Sequence, residues 1–288
     1  MYKLECVFVS TDHLMDRLWF RDDEDFKVAM NYVALISKSL GISVIAFILM
    51  SNHVHFVLGC SPEEARTFIN ELKRRYSKYF QHKYGSRELL RENRVDISVL
   101  DAEGESVERA VAYVKMNSVA AGICAHPSYY LWGTGNAFFR GHNPTGELLS
   151  SFSRRKQIEL LHSNEIPKGT LRLTKEGFVD PASYVSVRFV ENLFRSPARY
   201  NYFLQNSSKA KLRLRESAKP AFRDQIVLAA TSDLCQSLFR KKTPGDLSRE
   251  QLGELLKQLR FRLSSDPGQL ARVLEIPYDD VAVLLDSV

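Results

Sequence analysis

The chain has 288 residues, of which 44% are hydrophobic and 26% charged, and its formal net charge is +6. That length suits one large domain or two ordinary ones, with enough apolar residues for a proper core. The positive balance favours an anionic partner, nucleic acid first. Cys6, Cys60, Cys124 and Cys235 lie far apart with no Cys-x-x-Cys pair. This spacing argues against a zinc ribbon and fits a reduced cytoplasmic protein better than a disulfide framework. No apolar signal core opens the sequence, and the most apolar run, 42–50, is far shorter than the ~20 residues of a membrane helix.

In chain order, Leu4 to Val9 reads as a short strand, and Asp23 to Leu40 as a helix with Phe26, Met30, Val33, Leu35 and Ile36 in an apolar stripe ended by Gly41. Ile42 to Met50 and His53 to Leu58 are two strands joined by a tight turn at Ser51-Asn52. Pro62 opens a long helix to about Tyr84, and Val95 to Leu100 gives a fourth strand. Ser106 is the expected N-cap of a helix that runs to Ala121 and stops at Gly122. The order β-α-β-β-α-β with a further helix predicts an α+β fold, the ferredoxin-like split βαβ arrangement, with a mostly antiparallel sheet and helices on one face.

Three regions are expected: residues 1–145 as the α+β domain, 146–223 as a connecting region, and 224–288 as a helical C-terminal extension. Between Ser207 and Arg223 stand Lys209, Lys211, Arg213, Arg215, Lys219 and Arg223 against the single acid Glu216, a basic linker or solvated helix. Residues 267–288 read as two short helices about the turn Glu275-Ile276-Pro277-Tyr278, a pattern resembling a helix-turn-helix. Asp279 and Asp280 would begin its second helix, where they serve as caps and repel a phosphate backbone.

The chemistry concentrates in two blocks. His53 and His55 alternate with Val54 along a strand and so share one face, half of a metal site. On the helix from Ser106, Tyr113 and Asn117 lie four apart at the margin of the apolar stripe formed by Val107, Ala110, Val111, Val114 and Ala121. If that helix packs beside the histidine strand, a divalent ion held by His53, His55 and the Asn117 oxygen would polarise a phosphodiester that Tyr113 attacks. Two imidazole ligands favour Mn2+ over Mg2+, although Mg2+ is the abundant ion. Lys73, Arg74, Arg75 and Lys115 are the candidate nucleic-acid contacts, the first three on a helix that also carries Tyr76, Tyr79 and Tyr84 for base stacking.

The stretch Ala46-Phe47-Ile48-Leu49-Met50-Ser51-Asn52-His53-Val54-His55-Phe56-Val57-Leu58 resembles the His-hydrophobe-His block of the single-tyrosine HUH transposases. Tyr113-Val114-Lys115-Met116-Asn117-Ser118-Val119-Ala120-Ala121-Gly122-Ile123 resembles their nucleophile helix, in particular that of the REP-associated tyrosine transposases. Phe20 to Phe26 and Tyr130-Leu131-Trp132 match weaker family features, and the resemblance covers residues 1 to about 145. It implies a ferredoxin-like nuclease that cuts single-stranded or hairpin DNA, keeps a 5′-phosphotyrosine link and uses a divalent metal. It also carries the ligand roles to His53 and His55, the nucleophile to Tyr113 and the third metal-site position to Asn117.

Ser51 and Ser118 depart from a common proline, and Ala120 from a common arginine. Ser10-Thr11-Asp12-His13 replaces an arginine-glycine stretch, removing side chains of the kind that hold phosphates. A regulator that binds DNA on the same fold without cutting it is the alternative. The spacing leaves open whether one chain or a homodimer completes the site.

Overall fold

The structure is a computed structural model that describes residues 5–14, 17–85, 90, 93–101, 105–141, 144, 146–167, 169–207, 222–263 and 265–286. The basic stretch 208–221 and Leu4 therefore lie outside the described residues. The first elements are β1 (Cys6–Thr11), α1 (Asp23–Leu40), β2 (Ser43–Met50), β3 (His53–Gly59), α2 (Pro62–Tyr84), β4 (Val95–Leu100) and α3 (Ser106–Ala120). Local chemistry accounts for their ends. Gly41 and Gly85 close α1 and α2 in the left-handed region, and Ser61 with Glu64 forms a capping box around Pro62. Ser106 is not the N-cap expected of it: Glu105 holds that place with φ 67°, and the Ser106 hydroxyl donates instead to the Asp101 carbonyl.

The sheet has the order β2-β3-β1-β4 with every pair antiparallel, the strand order of the split βαβ fold. Register fixes which side chains share a face. Phe8 lies opposite Val57 and Ser98, Ser10 opposite His55, and Met50 opposite His53, so these residues line one surface. The other surface carries Phe47 and Phe56, stacked at 5.6 Å, and Phe56 meets Phe68 of α2 at 5.3 Å. These rings are fully buried, each contributing about 1.5–3 kcal/mol. Helices α1 and α2 thus cover one face, while α3 crosses the other against β2 and β3.

The segment from Tyr130 to Thr134 closes the free edge of β2. The Leu49 N–H donates to Trp132 O (2.8 Å), the Thr134 N–H to Phe47 O (3.0 Å), and the Tyr130 hydroxyl to Leu49 O (2.7 Å). A Cβ at Gly133 would come within 2.5 Å of the Phe47 carbonyl, so only glycine permits this approach. The edge is thereby denied to other chains.

Beyond residue 146 follow α4 (Arg154–Leu161), α5 (Val187–Phe194) and α6 (Pro197–Gln205). Leu149, Leu161, Leu173, Val190 and Phe203 from this stretch join the same hydrophobic cluster as the sheet. A second cluster is built by α7 (Asp224–Phe239), α8 (Arg249–Leu263), α9 (Pro267–Leu274) and α10 (Tyr278–Asp286). Leu18, from the β1–α1 connection, is buried inside it. No helix of the described residues is long and apolar enough to cross a membrane.

Asp25, 0% exposed, ties α1 to α2: it accepts from the Tyr79 and Tyr84 hydroxyls (both 2.9 Å), Lys83 Nζ (2.8 Å) and the Arg21 N–H (2.7 Å). Its replacement by alanine leaves these donors without their acceptor. Asp25→Ala is expected to destabilise the protein by about 2–4 kcal/mol, measured as a lowered midpoint in urea unfolding.

Candidate active site

The hairpin between β2 and β3 has two loop residues, Ser51 and Asn52, with Met50 paired to His53. Neither loop residue has the positive φ that two-residue hairpins favour. Tertiary bonds hold the turn instead. The Trp19 and Phe20 N–H groups both donate to Ser51 O (2.8 and 3.2 Å), and Leu14 N–H donates to Asn52 O (3.0 Å). The Asn52 side chain donates back to Leu14 O at 2.9 Å. Its Oδ1 lies 2.8 Å from His53 Nδ1. An amide oxygen can only accept, so Nδ1 carries the proton and the Nε2 lone pair is the one His53 can offer.

His53 and His55 are both buried, with ring centroids 4.8 Å apart and planes crossing at 77°. A third histidine joins them. His13 stands just past β1, whose C-terminal end lies beside the start of β3, and one ligand atom from each of His13, His53 and His55 falls within a mutual 4.8 Å. Two nitrogens on one ion, with bonds of about 2.1 Å, sit no more than ~4.2 Å apart, so this donor set fits a divalent ion after small adjustment. The rings differ in readiness. Steeply crossed planes let His53 and His55 converge their lone pairs, whereas His13 stacks face to face on His53 at 3.7 Å and 10°. Parallel rings cannot both aim in-plane lone pairs at one ion between them. The exposed His13 ring must therefore turn to become a ligand.

Tyr113 comes to this face from α3. Its ring meets His55 edge-on at 5.6 Å, and Phe8 packs against both, stacked on His55 at 5.7 Å and edge-on to Tyr113 at 5.6 Å. Asn117 is buried one turn further along, where its Nδ2 donates to the Tyr113 and Val114 carbonyls at 2.9 and 3.3 Å.

The structure brings His53, His55 and Tyr113 together, and it gives the four candidate nucleic-acid contacts protein partners. Lys115 is 4% exposed, its ammonium donates to the Gly135 carbonyl, and burial pulls its pKa down to about 7. Lys73 donates to the Asn93 carbonyl, and burial likewise lowers its pKa. Arg74 and Arg75 both pair with Glu71, and Arg75 also with Glu165. The hydrogen bond from Arg74 is the leading cause of a Glu71 pKa lowered to about 2. The aromatic residues of α2 serve the interior: Tyr76 is buried with its hydroxyl on Trp19 O, and Tyr79 and Tyr84 bind Asp25.

Sequence reasoning missed His13, Phe8 and Asn52. A signal for the first two existed, because a split βαβ sheet sets β1 beside β3. It also missed Asp224, 4% exposed at the start of α7, which accepts from the Ser51 hydroxyl, Gln269 Nε2 (2.9 Å) and Arg272 Nε (2.9 Å). This carboxylate joins the C-terminal helices to the turn that carries Asn52 and His53.

An antiparallel split βαβ sheet that carries, on the face crossed by α3, a histidine pair against a helical tyrosine defines the class of this protein: a ferredoxin-like α+β domain with a histidine–tyrosine site. Residues 15–95 match the family described as "Transposase IS200 like". That stretch contains His53 and His55 and ends before α3, so Tyr113 and Asn117 lie outside it. A solved structure described as "Structure of the REP associates tyrosine transposase bound to a REP hairpin" is 16% identical, with 50% of this chain and 87% of that chain covered at a TM-score of 0.34. No curated protein matches the chain.

Two outcomes follow from this geometry. Asn52→Ala frees the His53 ring and its tautomer, and Mn2+ affinity measured by calorimetry is expected to fall about 10- to 100-fold. For Lys115 the folded pKa, about 7, lies below the ordinary value of 10.5. The unfolded chain then binds more protons between these values, so stability rises with pH across that window and is lost as pH falls toward 7. Lys115→Met is expected to flatten that rise in the melting temperature measured from pH 6 to 10.

Proposed function

We propose that this protein is a metal-dependent nuclease of the transposase type, which cuts and rejoins single-stranded or hairpin DNA through a 5′-phosphotyrosine at Tyr113. The observation that carries the reading is the approach of Tyr113 to His55, ring centroids 5.6 Å apart, on the sheet face that α1 and α2 leave uncovered. The similarity of residues 15–95 to IS200-like transposases supports it.

Tyr113 Oη attacks phosphorus and loses its phenolic proton. The bond from phosphorus to the 3′ oxygen breaks, and that oxygen leaves as a hydroxyl after taking up a proton. The tyrosyl phosphodiester replaces the diester it consumed, so an incoming 3′-hydroxyl reverses the exchange with no external energy source. Phe8 limits the swing of the tyrosine ring, and Asn52 fixes the His53 tautomer. A divalent ion, Mg2+ or Mn2+, held by His53 and His55 with Asn117, or a turned His13, as the third ligand would supply Lewis-acid polarisation of the scissile phosphate.

Incubation of the purified chain with Mn2+ or Mg2+ and labelled hairpin oligonucleotides from the flanks of its own gene tests the reading. A denaturant-resistant protein–DNA adduct is expected with the wild type, lost with Tyr113→Phe and with chelator. Clear hairpin binding with no adduct would instead identify a regulator that keeps the fold without the reaction. Activity surviving in Tyr113→Phe would point to a hydrolase that does not use this tyrosine.

A further inference from the structure

A cavity of about 530 Å³ opens directly beside Tyr113. Its floor is the exposed sheet face at Phe8 of β1 and Ser98 of β4, opposite one another in register. One wall is α3, with Arg109 and Tyr113, and the facing wall is α6 with Tyr202 and its C-cap Asn206. Such a volume lies within the roughly 300–1,000 Å³ of small-ligand sites. Phe8 and Tyr113 belong both to this cavity and to the histidine–tyrosine cluster, so whatever fills it adjoins the reacting atoms.

Its chemistry selects among the parts of a nucleotide. The cations at this end are already matched: Arg109 pairs with Glu105, and Arg199 of α6 with Glu105 and Glu108 of α3. The Arg199 pairs brace α6 against α3, and together these pairs leave little net positive charge for a phosphate. The cavity instead offers aromatic surface and neutral hydrogen-bonding groups. Tyr202 is 62% exposed, with its ring meeting Phe203 edge-on at 5.8 Å and still lining the cavity. Ser98 and Asn206 add a hydroxyl and a carboxamide. An aromatic face with neutral polar groups is what an unpaired base requires, by stacking and by contacts to its edge.

Resting on the nuclease reading, we propose that this cavity receives the unpaired nucleobase adjoining the scissile phosphate, stacked on Tyr202, while its phosphate lies at Tyr113. The site would then select strands in which that base is free of a partner, and it would set the phosphodiester in line with the tyrosine. The stretch that builds its outer wall, α6, falls outside the segment similar to the transposase family.

The test uses the full chain carrying Tyr113→Phe, which keeps an aromatic wall and binds without cutting. Fluorescence anisotropy measures its affinity for unpaired oligonucleotides, each with one abasic position across the cleavage site. The expected result is one sensitive position beside the cleaved bond, where base removal weakens binding about tenfold. Adding Tyr202→Ala should cost a similar factor and abolish sensitivity at that position alone. Ser98→Trp, which fills the cavity from an exposed position, should do the same. Losses from Tyr202→Ala that multiply with base removal at every position, or no sensitive position at all, would overturn the proposal. An adduct formed by the wild-type chain without this coupling would sink the base site alone. Coupling without an adduct would sink the cleavage reading and leave the base site standing.

Discussion

The site depends on how the turn Ser51-Asn52 is held. A two-residue hairpin without left-handed residues twists its strands less favourably than a primed turn. Here the Trp19, Phe20 and Leu14 N–H groups satisfy the turn carbonyls, and the Asn52 amide answers Leu14. The same amide oxygen orients His53. One asparagine therefore joins the loop that carries His13 to the strand that carries the buried histidine pair, and the position of both depends on a buried hydrogen-bonded turn rather than on hairpin propensity.

The sheet converts that local order into a face. Antiparallel register sends Phe47 and Phe56 into the core beneath α1 and α2, and with the same period-two alternation sends Phe8, His53 and His55 to the opposite surface. Helix α3 crosses that surface and delivers Tyr113. A slip of one residue in β3 would exchange the histidines with Val54 and Phe56, both fully buried, so the cost of burying two imidazoles in the apolar layer pins the register.

The C-terminal helices are coupled to this machinery by specific contacts. Leu18 lies within their hydrophobic cluster, while Trp19, the next residue, donates to the Ser51 carbonyl. Asp224 accepts from Ser51 and is neutralised by Arg272. Gln225 donates to the Phe20 carbonyl at 2.7 Å. Serine at position 51 supplies the hydroxyl for this link. The two short helices α9 and α10 fall where the helix-turn-helix pattern placed them, and Gln269 and Arg272 of the first are occupied with Asp224.

Much of the fold was legible from periodicity and punctuation alone. The bounds of α1, α2 and β4 follow from apolar spacing and from Asp22, Gly41, Pro62 and Gly85, which act within a turn of chain. The face shared by His53 and His55, and the side of α3 shared by Tyr113 and Asn117, follow from fixed geometric periods. Ser106 misled because a cap depends on the preceding backbone, which enters α3 through Glu105 in the left-handed region. A cation in a sequence shows its charge but not its partner: Lys73, Arg74, Arg75 and Lys115 meet Asn93, Glu71, Glu165 and Gly135, which lie across the fold or the helix turn. The sequence by itself determined the secondary elements, the metal-type histidine pair and the tyrosine helix, since these rest on contacts a few residues apart. Only tertiary structure decided that His13 stacks on His53, that Phe8 wedges against Tyr113 and that Asp224 reaches Ser51, because strand pairing and helix docking join residues that no local period relates.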